Sequence, residues 1–295
     1  MDVFYNHPKI VEHACTLIMA SKQFYLIPNV ITAFALSCGL FVIFRVNLVA
    51  PGSGNYELLY SSAFVLLLAA FADLLDGAIA RMIRAESEFG SMFDSLADAI
   101  SFGVAPSVLF LKSLKLEHGS GLSFFAVVGA MVYAICGILR LVRFNVQAHA
   151  VRADKQALFL YHKHFTGLPI PAGAAGAISV NLFFHSKFAR ALSIAHETQV
   201  VSLTCVMIAL GYLMISKWKY PSVKTFHIRI PSFRLVLCTV LVAIFILYGI
   251  FYFLPLVLVI CSLGYILSGC IVRMIRLFAG KKSTTLAEYE PDPDD

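Results

Sequence analysis

Apolar runs long enough to cross a bilayer recur along almost the whole chain, and they limit the fold more than any other feature. A hydrocarbon core is spanned by about 20 predominantly apolar residues in a helix. Such runs fall at 29–49, 58–81, 90–112, 122–143, 168–186, 198–216, 235–253 and 256–273. In lipid each backbone polar group must find its partner inside the segment, so these runs are expected to be helical. The fold class this predicts is all-α: a polytopic membrane protein with about eight transmembrane helices. A chain that is 59% apolar and 14% charged, with a mean hydropathy of +0.82, lies far from the composition of a water-soluble domain.

The flanks read differently. Residues 1–24 are too mixed to span, and Val11, Cys15, Leu17, Ile18 and Phe24 suit an N-terminal amphipathic helix on the membrane surface. No basic stretch and small-residue cleavage site frame an early apolar core, so no cleavable signal peptide is expected. Residues 277–295 end in the polar, proline-interrupted EYEPDPDD and are expected to be a disordered cytoplasmic tail.

The net charge of +6 raises the question of a nucleic-acid partner, but the basic residues flank apolar runs, where they set topology and meet anionic membrane lipids. No nucleic acid is expected. With the N-terminus in the cytoplasm, 18 of the 23 Lys and Arg fall on the cytoplasmic side, leaving only Arg45, Lys112, Lys115, Lys187 and Arg190 on the other. The protein is therefore expected to be integral to the membrane, a bacterial inner membrane, with both termini inside. The seven cysteines are dispersed without a C-x-x-C pair or a neighbouring histidine cluster, which suggests neither a disulfide framework nor a zinc site.

Against this apolar background, Asp73, Asp76, Asp94 and Asp98 stand on the second and third spans. Four central aspartates would cost on the order of 10 to 14 kcal/mol at full depth, comparable with the roughly 5 to 15 kcal/mol that stabilises a typical domain. At 3.6 residues per turn, Asp73, Asp76, Gly77 and Ala80 share a face, and Gly90, Asp94 and Asp98 make an i, i+4, i+8 ridge on the next helix. A short turn joins the two helices, so the faces should meet. Asp73 lies roughly 12 Å along its helix from Arg81, taken as the cytoplasmic boundary, which puts the cluster in the inner leaflet. Four like charges cannot all remain ionised without cations, and two Mg2+ or Mn2+ ions, which prefer oxygen ligands, would balance them. Buried ion pairs with Arg81 and Arg84 are the alternative, but two arginines do not neutralise four aspartates.

Written out, Asp73-x-x-Asp76-Gly77-x-x-Ala80-Arg81, then eight residues, then Gly90-x-x-x-Asp94-x-x-x-Asp98 resembles the signature of the CDP-alcohol phosphatidyltransferase family at all eight fixed positions. Further stretches are similar to its serine-accepting branch: Ile27-Pro28-Asn29-x-x-Thr32, Ser101-Phe102-Gly103-Val104-Ala105-Pro106, Arg140-Leu141-x-Arg143-Phe144-Asn145, Phe165-x-Gly167-Leu168-Pro169-Ile170-Pro171 and Tyr220-Pro221-Ser222. The resemblance covers residues 25–225, a membrane core, and leaves 226–276 as two additional spans. It implies a helical homodimer with a cytoplasm-facing metal cavity, which transfers the phosphatidyl group of CDP-diacylglycerol to an acceptor hydroxyl, here that of L-serine, with release of CMP.

The resemblance also implies roles. Asp73, Asp76, Asp94 and Asp98 would hold two divalent metal ions, with Asp98 the general base. Gly77, Ala80 and Gly90 would leave room for the cytidine and its phosphates, and Arg81 would contact the nucleotide. Asn29 and Thr32 either hydrogen-bond the nucleotide or cap the first span. Arg140 and Arg143 would hold the carboxylate of serine or a phosphate, with topology marking as the bland alternative. His162, Lys163 and His164 read as a solvated loop. Other readings are transfer to glycerol 3-phosphate, inositol, choline or an inositol phosphate, and, from a different class, an ion-coupled transporter, which the lack of an inverted repeat disfavours. A non-catalytic membrane scaffold ranks below both.

Overall fold

The structure, a computed structural model, describes residues 28–50, 56–83, 87–117, 119–152, 165–216, 219–220 and 256–269. The surface helix at 1–24, the span at 235–253 and the tail at 277–295 lie outside the described residues. Within them, α1 is Pro28–Asn47 and α2 is Tyr56–Ile83. The third span, Glu88–Ser113, is composite: α3 (Glu88–Asp98), a π-helical turn (Ala99–Val104) and α4 (Ala105–Ser113). Then come α5 (Gly121–Arg152), α6 (Ile170–Phe184), the short α7 (Lys187–Ala191), α8 (His196–Ile215) and α9 (Leu256–Gly269). Phe165–Thr166 and Lys219–Tyr220 form a two-residue antiparallel pair, β1 and β2, among the described residues the only strands, which the all-α expectation did not include.

Among the described residues, five helices are long and apolar enough to cross a membrane: α1, α2, the composite third span, α5 and α8. Their outer faces carry Phe44 at 64% exposure, Leu74 at 69% and Phe124 at 73%, an inversion of the soluble pattern that only lipid makes favourable. The helix α6, at 15 residues about 22 Å long, is shorter than the roughly 30 Å hydrocarbon core. Ten of those residues are buried inside the protein, so neighbouring helices rather than lipid surround most of it.

Spans consecutive in the sequence run in opposite directions, and polar contacts mark the two ends. At one end Thr32 of α1 meets Asp76 of α2, and Ser95 of α3 meets Asn145 of α5. At the other, the Ser113 hydroxyl donates to Asn181 Oδ1 at 3.0 Å, and the His185 ring contacts the Asn181 and Ser113 carbonyl oxygens.

The most extensive packing is between α5 and α8, with the π turn and α4 against α5 and α6 against α8. Tyr133, Phe102, Phe110, Leu109, Leu203 and Met207 form the centre of this core. Because hydrocarbon outside is as apolar as the side chains within, close backbone approach does much of the holding. A β-carbon at Gly129 would drive into Thr204 of α8, so that crossing needs glycine. The helix α6 starts after Pro169, with Pro171 in its first turn, where a missing amide leaves no bond unmade.

Candidate active site

The acidic face of α2 and the ridge of α3 meet as their spacing requires. Carboxylate oxygens of Asp73, Asp76 and Asp94 all lie within 4.8 Å of one another, close enough to share a cation. Asp98, one turn further along, joins through hydrogen-bonding reach of Asp73. The donors are all hard oxygens, with no His or Cys in the cluster, a set that fits Mg2+ or Mn2+ better than zinc. Asp76 is 4% exposed, while Asp73, Asp94 and Asp98 are half-buried around it.

Helix α1 supplies a second layer. The Thr32 hydroxyl donates to Asp76 Oδ2 at 2.6 Å, and its oxygen also lies 3.0 Å from the Pro28 carbonyl. Thr32 therefore fixes a carboxylate, a role that neither nucleotide contact nor helix capping anticipated. Asn29 sits opposite Gly90, where an added β-carbon would come within 3.1 Å of Asn29 Oδ1 and 2.9 Å of Ser87 Oγ. Ser87 caps α3, its oxygen accepting the Gly90 amide at 2.9 Å. Glycine at 90 thus keeps α1 against the start of the acidic ridge. Gly77 and Ala80 are half-buried on the same helix as Asp73 and Asp76. Of Arg81 only the helical backbone is described.

The C-terminal end of α5 closes on the same region. Between Asp94 and Asp98, Ser95 is bonded to Asn145, whose Nδ2 donates to Ser95 Oγ at 2.9 Å. Arg140 and Arg143 are half-buried, five and two residues before Asn145, and Arg140 lies within electrostatic reach of Tyr265 of α9. The helix α9 is held in turn by the Ser179 and Ser262 hydroxyls, 2.8 Å apart, and by Ile266 against Gly176. Sequence reasoning missed Ser95 and Tyr265: a lone serine within the ridge and a tyrosine in the last span have no local pattern to mark them.

Beyond the aspartates the helix changes character. In the π turn Ser101 donates to the Ala35 carbonyl of α1 at 3.2 Å, and the buried Tyr133 hydroxyl of α5 donates to the Phe102 carbonyl at 2.9 Å. Gly39 lies so close to Ser101 that an added β-carbon would come within 2.8 Å of the Ser101 Cα. The site is thus a cluster of carboxylates braced by α1 on one side and α5 on the other, with aliphatic and aromatic surface outside.

Comparison with known proteins agrees with this picture. The model of the CDP-alcohol phosphatidyltransferase family matches residues 25–261. A CDP-diacylglycerol–serine O-phosphatidyltransferase of Helicobacter pylori is 30% identical over 219 residues, 74% of this chain and 81% of the relative. One from Methanocaldococcus jannaschii is 31% identical over 211 residues, 67% of this chain and 87% of the relative. An archaetidylserine synthase of Methanothermobacter thermautotrophicus is 36% identical over 167 residues, 56% of this chain and 60% of the relative.

Proposed function

The chain belongs to the CDP-alcohol phosphatidyltransferase family, and from that premise we propose that it transfers the phosphatidyl group of CDP-diacylglycerol to the hydroxyl of L-serine, giving phosphatidylserine and CMP. The observation that carries the reading is the convergence of Asp73, Asp76 and Asp94 within 4.8 Å, with Asp98 beside them, at one end of a lipid-facing helical bundle. The names of the serine-specific relatives support the acceptor.

Asp73, Asp76, Asp94 and Asp98 would hold two divalent ions, Mg2+ or Mn2+, and when bound these supply the positive charge that a diphosphate needs to accept a nucleophile. Thr32 and Asn29 hold the first span against this cluster, and Thr32 keeps the Asp76 carboxylate oriented. Asp98 takes the proton of the serine hydroxyl as its oxygen bonds to the β-phosphorus, and the bond from that phosphorus to the CMP oxygen breaks. Arg140 and Arg143 face the acceptor, where a guanidinium pairs with the serine carboxylate. Gly77, Ala80 and Arg81 border the nucleotide. The positive-inside bias supports a cytoplasmic opening, and the family resemblance supports a homodimer.

The test is CMP release by purified protein given CDP-diacylglycerol and each acceptor in turn. Release with serine, abolished by EDTA and restored by Mg2+ or Mn2+, is expected; activity in metal-free buffer would remove the metal account. Release with inositol or glycerol 3-phosphate but not serine would overturn the acceptor. Sidedness is read with a membrane-impermeant maleimide: in intact cells a Lys115→Cys protein should be labelled and a Glu88→Cys protein spared, and the reverse pattern would invert the topology.

A further inference from the structure

Pro106 has no amide hydrogen, so in a regular α-helix the Phe102 carbonyl, four residues earlier, would lose its donor inside the membrane. The helix does not simply break there. It opens into the π turn at Ala99–Val104, with the Ala105 amide reaching back five residues to the Ile100 carbonyl, and the Tyr133 hydroxyl donates to the Phe102 carbonyl at 2.9 Å. Tyr133 is 0% exposed, so no water competes for that bond. Two more tethers grip the same stretch: Ser101 donates to the Ala35 carbonyl, and the Ser107 hydroxyl, 2.9 Å from the Gly103 carbonyl, lies 3.2 Å from the Ala130 carbonyl of α5. The turn begins at the residue after Asp98.

One extra residue in a turn shifts helical phase by about 100°. With α4 fixed by its buried face, relaxation of the π turn to α geometry would rotate α3, and with it Asp94 and Asp98, away from Asp73 and Asp76. We infer that Tyr133 is a positioning residue for the acidic cluster: by bonding the Phe102 carbonyl it holds the π turn that sets the azimuth of Asp94 and Asp98. The inference rests on the reading of the aspartates as a metal site, and it adds a residue on a different helix, bonded to a carbonyl about one turn beyond Asp98, that no acidic motif contains.

The test is direct Mn2+ binding to the purified protein, followed by the electron paramagnetic resonance of free Mn2+, alongside CMP release. Tyr133→Phe keeps the buried ring and deletes only the hydroxyl. The Mn2+ dissociation constant and the metal concentration for half-maximal activity should each rise about tenfold, with a lower kcat and a KM for CDP-diacylglycerol within about twofold of the parent. Adding Pro106→Ala to that variant supplies an amide to the Phe102 carbonyl, but by closing an α turn, so metal binding should stay weak. Full recovery in the double variant would reduce Tyr133 to a partner for one carbonyl and overturn the inference. Should Tyr133→Phe not purify, Ser101→Ala, which cuts another tether of the turn, takes the same readouts and should weaken Mn2+ binding in the same direction. Unchanged Mn2+ affinity in whichever variant folds would also overturn the inference. Parent protein that neither binds nor needs Mn2+ or Mg2+ would instead remove the metal reading beneath it.

Discussion

A carboxylate that must bind a cation at a fixed place needs its own orientation fixed first, and at Asp76 the hydroxyl of Thr32 does this over 2.6 Å. A hydrogen bond to a charged group contributes about 1.5 to 3 kcal/mol, so the near-isosteric Thr32→Val should lower CMP release at saturating substrate by roughly ten- to a hundredfold while the protein still inserts and purifies. Unchanged turnover would show the hydroxyl to be idle. The same magnitude applies to Arg140→Gln, which should raise the KM for serine and leave that for CDP-diacylglycerol nearly unaltered; equal weakening of both would move the guanidinium to the nucleotide. At this scale the sequence was legible where spacing alone decides. Asp73 and Asp76, and Asp94 and Asp98, share faces by helical period, so their meeting followed from a short turn. Thr32 with Asp76 and Ser95 with Asn145 are 44 and 50 residues apart, and no periodicity encodes which rotamer reaches across a helix interface.

At the scale of elements, apolar runs located the described spans to within a few residues, because hydrocarbon thickness dictates their length, except that α5 continues to Arg152, nine residues past the expected end at 143. What they concealed was the break inside the third span, expected as one helix over 90–112 and found as three segments. Its signal was present in Pro106 and the missing donor four residues before it, but whether a proline kinks, ends or widens a helix depends on which side chain reaches the freed carbonyl, here Tyr133 from α5. The crossing of α1 over that turn gives a prediction with an internal contrast. At Gly39 a β-carbon meets Ser101, whereas at Gly264 of α9 none of the described residues lies within 4 Å. Gly39→Ala should destabilise by about 1 to 3 kcal/mol through overpacking and impair CMP release. Gly264→Ala should be neutral or stabilising by up to about 1 kcal/mol, from better helix propensity. Thermal unfolding in detergent checks both, and equal effects would mean that the α1 crossing yields without strain.

Across the described residues, alternating spans bring Thr32, Asp76, Asp94 and Asn145 to one end and Ser113, Asn181 and His185 to the other, so the proposed chemistry is confined to one end of the bundle. Helix α2 carries both sides of that arrangement: Asp73 and Asp76 point into the cluster, while Phe71, Leu74 and Leu75, one or two residues away, are exposed outward at 58%, 69% and 40%. A lipid donor can therefore present its headgroup to the carboxylates while its chains remain among their neighbours, and encounter becomes a two-dimensional search. Velocity should then follow the mole fraction of CDP-diacylglycerol in the surface rather than its amount per volume. In mixed micelles, adding inert detergent at constant total CDP-diacylglycerol should slow CMP release in proportion to the dilution of the interface, while diluting the whole micellar suspension, with enzyme already bound, should leave the rate per enzyme unchanged.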